Sequence, residues 1–336
     1  MKNIAMSAPG KAVLCGEYAV LDGAPAIVMA VDCRARVMLQ STDEVSHSLA
    51  MFDRQAAPVR FHFTESAEIL PVEDHRPSLD TTLISHVWRA VGAPPAGSIA
   101  MQLDTRAFYD DESGAKLGLG SSAALAVALT SALLRFSGDR REPGPIAMAA
   151  HRAFQGGSGS GVDIAAALHG GVMAFNTTTN LVTEALQWPA GMAYSLWWSG
   201  RAASTADKLM SLKENKRNAA ARASAGKLRR GSEQVLEAWR SGQSKEVLET
   251  LQDYCGALQE FSAAHRLGIF DAGHRQLHEF AARKGLTYKP CGAGGGDIGV
   301  VLGTRQDALE EFAVHATGCG FKKLYVMLDS CGLKES

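Results

Sequence analysis

The sequence lacks a hydrophobic stretch long enough to cross a membrane. No window reaches the run of about 18 or more uninterrupted apolar residues that marks a transmembrane helix. The first eleven residues, MKNIAMSAPGK, also lack the apolar core of a secretory signal. We therefore expect a soluble, cytoplasmic protein that does not act at a membrane.

Neither sign of charge is in excess. The 336 residues include 34 Lys and Arg and 35 Asp and Glu, a formal net charge of -1. This balance does not favour nucleic acid or another polyanion as a partner, and we predict none. The hydrophobic fraction of 46% is enough for a full core, and the length favours two ordinary domains.

Cysteines are few and widely spaced. The sequence has no CxxC pair and no Cys/His spacing typical of a zinc site, which argues against structural zinc and against a disulfide framework. We predict reduced, mostly buried thiols for all six cysteines: Cys15, Cys33, Cys255, Cys291, Cys319 and Cys331.

Glycine, by contrast, is concentrated in a few stretches, of which the most informative lies between Lys116 and Leu134. Gly118 and Gly120 lead into Ser121 and Ser122 and then into a run of Ala and Leu, which are strong helix formers. This order predicts a loop followed by a buried helix with Ser121 or Ser122 at its N-cap. The free N–H groups of such a helix favour a phosphate, so we predict a nucleoside triphosphate as ligand. An ordinary capped core helix is the alternative.

Two further glycine-rich stretches and one short motif carry candidate chemistry. Glycines at 156–161 precede Asp163, which either stabilises the start of a short helix or acts in catalysis. The segment KPCGAGGGDIGVVLG, 289–303, is either a tight bend before a strand or a second phosphate loop. Near the amino terminus, Lys11 follows Pro9-Gly10 and Glu17 follows an apolar strand, where both are either solvated or functional.

Together these motifs resemble those of the GHMP family of small-molecule kinases. The string GLGSSAA at 118–124 is similar to the second family motif, PGKxxLxGEYxVLxG at 9–23 to the first, and GAGGGD at 292–297 to the third. The loop at 118–124 is neither a Walker A sequence nor a GxGxxG fingerprint. The resemblance implies an α+β, two-domain GHMP kinase fold: an N-terminal domain like domain 2 of ribosomal protein S5 at 1–180, and a ferredoxin-like C-terminal domain at 181–336.

Within the family, four features are more similar to phosphomevalonate kinases than to mevalonate kinases. These are Tyr18, where mevalonate kinases typically carry histidine, and the segments KLGLGSSAA, QGGSGSGVD and WSGRAAST. The resemblance implies ATP-dependent conversion of phosphomevalonate to diphosphomevalonate in isoprenoid synthesis. Mevalonate kinase or another alcohol kinase is the main alternative, and a decarboxylase or a non-catalytic relative on the same scaffold stays open. A homodimer is compatible with the sequence.

The resemblance also implies a role for individual residues. Lys11 offsets charge at the transferring group, and Asp163 is the base if the acceptor is an alcohol. A Ser121 or Ser122 hydroxyl helps to hold Mg²⁺, whereas Gln155 is a weak stand-in for a second metal ligand. ATP is expected at Lys116, Gly118, Leu119, Gly120, Ser121, Ser122 and Ala123. The acceptor, a phosphorylated or hydroxylated carboxylic acid, is expected at Glu17, Tyr18, Ser160, Gly161, Arg201, Gly294 and Gly295.

An anionic acceptor needs cations, and three basic residues follow the strand at 193–198. They are Arg201, Lys208 and Lys213. A charged helix face is usually solvated, so the sequence favours Arg201, which lies in the loop before the predicted helix.

Overall fold

The computed structural model of the protein describes residues 2–52, 58–65, 68–72, 79–92, 97–157, 159–177, 183–203, 208, 212 and 219–336. Within these residues the strands form two sheets. Strands of the first sheet come mainly from the first half of the chain, and those of the second sheet from the second half.

The first sheet is built on two long strands, β1 (Asn3–Cys15) and β2 (Ala26–Thr42), which pair antiparallel. In the described part of the chain its main path runs β13-β1-β2-β6-β3-β4-β5, and β7 and β8 extend it from the first residues of β2. β3 runs parallel to β6, and the other pairs are antiparallel. The remaining strands are β3 (His47–Met51), β4 (Val59–Phe63), β5 (Ile69–Pro71), β6 (Ser98–Asp104), β7 (Val172–Phe175), β8 (Thr183–Leu186) and β13 (Lys334–Glu335).

Helix α2 (Ser121–Ser137) is the central helix against this sheet. It packs on β1 and β2 and is also in contact with α1 (Leu79–Val91), α3 (Pro143–Phe154) and α4 (Val162–His169). Small and aliphatic side chains of α2 are buried on nearly every side, which explains why its sequence is Ala- and Leu-rich rather than amphipathic. The buried helix therefore fixes the glycine loop that precedes it.

The second sheet has the order β10-β11-β9-β12, and all its neighbours are antiparallel. Along the chain it alternates strand, helices, two strands, helix and strand, which is the ferredoxin-like arrangement. Its elements are β9 (Ala193–Trp198), α5 (Ala219–Ser241), α6 (Ser244–His265), α7 (His274–Arg283), β10 (Thr287–Pro290), β11 (Ile298–Gly303), α8 (Gln306–Gly318) and β12 (Lys322–Leu324).

The carboxy-terminal residues return from the second sheet to the first. The sequence favours a last strand at 324–328, but the strand β12 ends at Leu324, and Leu328 makes an isolated bridge to Val31. Beyond β12 the chain bonds to β2 instead: the Met327 carbonyl accepts the Asp32 amide at 2.9 Å, and the Arg34 guanidinium pairs with Asp329. β13 then pairs with β1.

Two expectations from the composition concern the cysteines and membrane-spanning helices. The six cysteines are free, and four of them are buried, whereas Cys319 is half-buried and Cys331 is exposed. Across the described residues, no helix combines the length and the apolar character needed to cross a membrane. The domain boundary at 180/181 stays a prediction, although β8 and β13, which follow it, belong to the first sheet.

Candidate active site

The site is organised around Lys11, which lies on β1 just after an irregularity between Pro9 and Gly10. The Lys11 amide donates to the carbonyl of Leu119 at 2.8 Å and so ties β1 to the glycine loop. A Cβ on Gly10 would lie 2.6 Å from the same carbonyl, so only glycine permits this approach. The sequence PGK thus places the lysine beside the loop.

The loop itself turns through two left-handed residues, Gly118 at φ +80° and Gly120 at φ +83°. Gly120 is the N-cap of α2 and no side chain caps the helix, so the expected cap at Ser121 or Ser122 is wrong. The stem of Lys11 crosses the loop, because a Cβ on Gly120 would lie 3.2 Å from the Lys11 Cγ. The first amides of α2 consequently have no intrahelical partner, which is the arrangement that binds phosphate.

The loop residues differ in what they can offer a nucleotide. Leu119 and Ala123 are buried, which leaves their backbone as the part that could contact a ligand. Lys116 is exposed, and its ammonium lies 5.7 Å from the centre of the Tyr109 ring. Ser121 and Ser122 are half-buried at the start of the helix. Nucleotide binding by these residues remains a prediction.

Asp163 lies at the start of α4 and forms an ion pair with Lys11. Its carboxylate is 3.7 Å from the Lys11 ammonium, and its side chain is 28% exposed against 10% for the lysine. Gly161, at φ +89°, is the N-cap of α4, so the turn that presents Asp163 depends on a left-handed glycine. The predicted pair of catalytic residues is thereby brought together from segments about 150 positions apart in the sequence.

The third glycine cluster, residues 292–297, approaches the same lysine. A Cβ on Gly292 would lie 3.7 Å from the Lys11 ammonium. Gly294 and Gly295 are also left-handed, but they pack on the backbone of Ile269 and Gly268. Lys11 therefore lies among all three glycine-rich stretches.

A cavity of about 360 Å³ opens beside Lys11 and Asp163. Of the residues expected to bind acceptor, Glu17, Tyr18, Ser160 and Gly161 line it. Among the described lining residues, Arg201, Gly294 and Gly295 are absent, and the cluster contributes Gly292 and Ala293 instead. The apolar part of the wall comes from Val13, Val20, Leu21, Ala26, Phe154 and Val162.

Arg201 is the clearest departure from the sequence-based expectation. Its side chain is exposed, and its carbonyl accepts the amide of Asp297 at 2.6 Å. Lys208, which the sequence placed on a solvated helix face, lines the cavity and donates to the carbonyl of Leu267. Lys208 is thus the better-placed cation. The segment around Ser204 and Thr205, and Lys213, lie outside the described residues.

Glu17 is held by two buried partners. Its carboxylate forms an ion pair with Lys289 on β10 and accepts the Tyr254 hydroxyl of α6 at 2.9 Å. The side chains of Lys289 and Glu17 are 0% and 2% exposed. Burial alone would lower the pKa of Lys289, but the Glu17 carboxylate more than offsets it, so the pKa of the ammonium is raised. Glu17 therefore links the end of β1 to β10 at the wall of the cavity, and its expected role as an acceptor ligand stays a prediction.

Tyr18 also joins the two halves. It has the left-handed φ of +62°, and its hydroxyl donates to the carbonyl of Ala293 at 2.5 Å. Burial raises the pKa of this phenol, so it stays protonated and keeps donating. Tyr18 contributes ring surface to the cavity while it fixes the third glycine cluster.

His274 supports the same cluster from behind. Its Nε2 is 3.0 Å from the carbonyl of Gly296 and must donate to it, so its Nδ1 accepts the Tyr288 hydroxyl at 2.8 Å. Burial lowers the pKa of His274 to about 4, which keeps the ring neutral.

His151 was missed by sequence reasoning. It is buried on α3, lines the cavity, and its Nε2 lies 3.0 Å from the Ser122 hydroxyl. Burial lowers the pKa of the ring, and the nearby Asp163 carboxylate opposes this only in part. The signal was its spacing: His151 and Gln155 lie one helical turn apart and both line the cavity.

Comparison with known proteins identifies part of this arrangement. Residues 96–171 match the family described as the GHMP kinases N terminal domain. The matched residues include the α2 loop and Asp163, whereas Lys11 precedes them in the sequence.

The relatives that the chain is similar to include enzymes of two acceptor classes. It is 28% identical to the phosphomevalonate kinase of Streptomyces sp. (strain CL190), over 90% of each chain. It is 33% identical to the mevalonate kinase of Methanothermobacter thermautotrophicus, over 52% of this chain and 50% of that enzyme, so it spans about half the length of that relative.

A solved structure confirms the predicted two-domain α+β fold. The phosphomevalonate kinase of Streptococcus pneumoniae, in complex with phosphomevalonate and AMPPNP, matches with a TM-score of 0.77 at 19% identity. The match covers 98% of this chain and 100% of that one.

Proposed function

We propose that this protein is a GHMP kinase that transfers the γ-phosphoryl group of ATP to a small acid that already carries a phosphate, and that this acceptor is phosphomevalonate. The observation that carries the proposal is the charge of the cavity. Its described lining contains two ammonium groups, Lys11 and Lys208, against the Asp163 carboxylate, which pairs with Lys11. Glu17 is balanced by Lys289. The lining thus carries a net positive charge, which suits an anionic acceptor.

The nucleotide side of the reaction depends on backbone groups. The amides at the start of α2, after Gly120, are available to the β- and γ-phosphates of ATP. Phosphoryl transfer needs little covalent chemistry from the protein, because positioning and neutralisation of the phosphoryl oxygens supply most of the acceleration. Lys11 is placed for this second task, since it lies between the loop and Asp163.

The residues present also fit Mg²⁺. This ion takes one or two protein oxygen ligands and completes its shell with phosphate oxygens and water. The Ser122 hydroxyl is held at the start of α2 by His151, and the Asp163 carboxylate lies at the cavity wall. When bound, the ion would offset charge on the phosphates. We propose that Asp163 and one hydroxyl, of Ser121 or Ser122, would hold it.

On the acceptor side, a phosphate oxygen attacks the γ-phosphorus, the bond to the β-phosphate oxygen breaks, and ADP leaves. The second pKa of a phosphate monoester is about 6, so near neutral pH the acceptor is mostly a dianion and needs no general base. The main obstacle is then repulsion between two anions, which Lys11 and Lys208 reduce.

A mevalonate-type alcohol kinase is the second candidate. It is supported by the carboxylate of Asp163, 3.7 Å from Lys11, which could take the proton of an attacking hydroxyl. Some relatives of matching sequence are mevalonate kinases. The two candidates differ in how much they need the second ammonium.

An assay of ADP release with phosphomevalonate, mevalonate, homoserine and galactose decides between them. We expect kcat/KM to be at least about 100-fold higher for phosphomevalonate than for mevalonate, because a cationic site that pairs with a phosphate dianion loses that interaction with mevalonate, whose only charge is its carboxylate. Lys208→Met should raise KM for phosphomevalonate and leave that for mevalonate nearly unchanged. Arg201→Met, at an exposed position outside the cavity lining, is the matched control and should change neither. A higher kcat/KM for mevalonate would refute phosphomevalonate as the acceptor.

A further inference from the structure

Asp297 combines a strained backbone with a partly buried carboxylate. It follows the triple glycine of the third cluster and has φ +52°, a left-handed conformation that glycine adopts without penalty and most other residues avoid. Three glycines precede it, yet this position carries a side chain. We therefore expect the Asp297 side chain to have a specific role.

Asp297 makes three hydrogen bonds to one short segment, Ser199–Ala203. The Asp297 carbonyl accepts the amide of Ser199 at 2.9 Å, and its amide donates to the carbonyl of Arg201 at 2.6 Å. Its carboxylate accepts the amide of Ala203 at 3.0 Å. The segment leaves β9 and leads along the chain toward Lys208, the second ammonium of the cavity.

The Asp297 side chain also lies against Gly118 in the glycine loop before α2, which we call the phosphate loop. A Cβ on Gly118 would lie 2.4 Å from the Asp297 Cγ and 2.8 Å from its Oδ2, so the carboxylate occupies the space beside this glycine. Burial raises the pKa of Asp297, and the nearby Lys11 ammonium opposes that effect. One residue thus contacts the phosphate loop, the third glycine cluster and the 199–203 segment.

We propose that Asp297 is a positioning residue that fixes the 199–203 segment against the phosphate loop, so that nucleotide binding and acceptor binding are coupled through it. The coupling to an acceptor rests on the proposed function, whereas the contact between segment and loop does not. A glycine at 297 would keep the turn and both backbone hydrogen bonds, but it would lose the bond to the Ala203 amide and the contact with Gly118. An asparagine would keep the acceptor oxygen for the Ala203 amide and remove only the charge.

The test compares Asp297→Gly and Asp297→Asn with the wild-type enzyme. Hydrogen exchange of peptides covering 199–203 is measured by mass spectrometry with and without AMPPNP and Mg²⁺, beside the melting temperature and steady-state kinetics. We expect AMPPNP to slow exchange at 199–203 in the wild type and to have no such effect in Asp297→Gly. That variant should also lose about 10- to 100-fold in kcat, because small misplacements of reacting groups cost this much.

If Asp297 only stabilised the fold, kcat would fall together with the melting temperature. Asp297→Gly removes the left-handed strain, so we expect a melting temperature within about 3 °C of the wild type despite the lost activity. Ala272→Gly is the matched control, since Ala272 has φ +54° and no place in the cavity lining. It should gain the same relief and keep kcat.

Three results would overturn the proposal. They are wild-type exchange and nucleotide response in Asp297→Gly, an unchanged kcat in that variant, or a fall in kcat that follows the melting temperature in both glycine variants. If Asp297→Gly does not fold, Asp297→Asn decides: we expect normal protection of 199–203 and a kcat within about threefold of wild type, and complete inactivity with normal protection would contradict us. If the wild type phosphorylates no acceptor, the proposed function fails, and the exchange response to AMPPNP still tests the anchoring.

Discussion

The buried ion pair between Glu17 and Lys289 offers a quantitative test of how the two halves are joined. Lys289→Met would leave the Glu17 carboxylate buried with the Tyr254 hydroxyl as its remaining donor. Breaking a buried pair by removing one partner costs about 3–5 kcal/mol, because an uncompensated charge stays in the interior. At roughly 2 °C per kcal/mol for a chain of this size, the melting temperature should fall by about 6–10 °C.

A double-mutant cycle separates the pair from its surroundings. Glu17→Gln keeps an oxygen for Tyr254 but removes the negative charge beside the buried Lys289 ammonium, which keeps its hydrogen bond to the Val13 carbonyl at 3.3 Å. The double variant Glu17→Gln/Lys289→Met removes both charges, so it should be more stable than either single variant, with a coupling of about 2–4 kcal/mol. The measurements are thermal unfolding followed by circular dichroism and the urea midpoint, each at one pH and one protein concentration.

The cycle also tests whether Glu17 contacts the acceptor. If Glu17 serves the fold, the double variant should keep the wild-type KM for acceptor once its stability is restored. Single-variant losses that simply add, or a Lys289→Met variant that melts within about 2 °C of wild type, would refute the reasoning on the pair. A raised acceptor KM in the stable double variant would instead indicate that Glu17 contacts the acceptor.

Three further predictions concern the loops. The pKa of His274 is about 4 in the fold against about 6.5 when unfolded. As the pH falls from 6.5 to 4, the free energy of unfolding should therefore decrease by up to about 3 kcal/mol, and His274→Gln should flatten that part of the curve of melting temperature against pH. Gly118→Ala should weaken ADP binding by more than about tenfold in calorimetry, whereas Gly138→Ala, with φ +76° and no atom within 4 Å of its Cβ, should leave it unchanged. With phosphomevalonate as acceptor, Lys11→Met should lower kcat far more than Asp163→Asn, and equal losses would count against a phosphate acceptor.

Much of the fold was predictable because its signals are local. The Ala- and Leu-rich run fixes α2, alternating residues fix β2, and β9 was predicted at its observed bounds. The last strand ends earlier than predicted because the residues after it bond to β2, where Met327 meets Asp32 across 295 positions, and pairing over such distances leaves no local pattern.

The site was predictable where glycine is required and less so where charges pair. Lys11 and Asp163 follow from their motifs, and the positive φ angles of Gly118 and Gly120 explain the glycines. The cap at Gly120 was missed because serine is the commoner N-cap, and a left-handed glycine replaces it where a ligand needs the amides.

The charged residues were harder to assign because their partners are distant in sequence. Glu17 finds Lys289 across 272 positions, so nothing near Glu17 indicates that its charge is already balanced. Lys208 was assigned to solvent from its helical spacing, but packing beside Leu267 turns it to the cavity. Asp297 was not predicted because it directly follows three glycines, and its partners in the 199–203 segment are distant in sequence.

Identification of the phosphorylated product tests the central claim most directly. The protein is incubated with ATP, Mg²⁺ and an equimolar mixture of phosphomevalonate and mevalonate, and the products are followed by ³¹P nuclear magnetic resonance. We predict that a phosphate ester signal is replaced by the coupled pair of a diphosphate ester, in step with ADP. Phosphorylation of mevalonate alone, or ADP formed without a new diphosphate ester, would contradict the account.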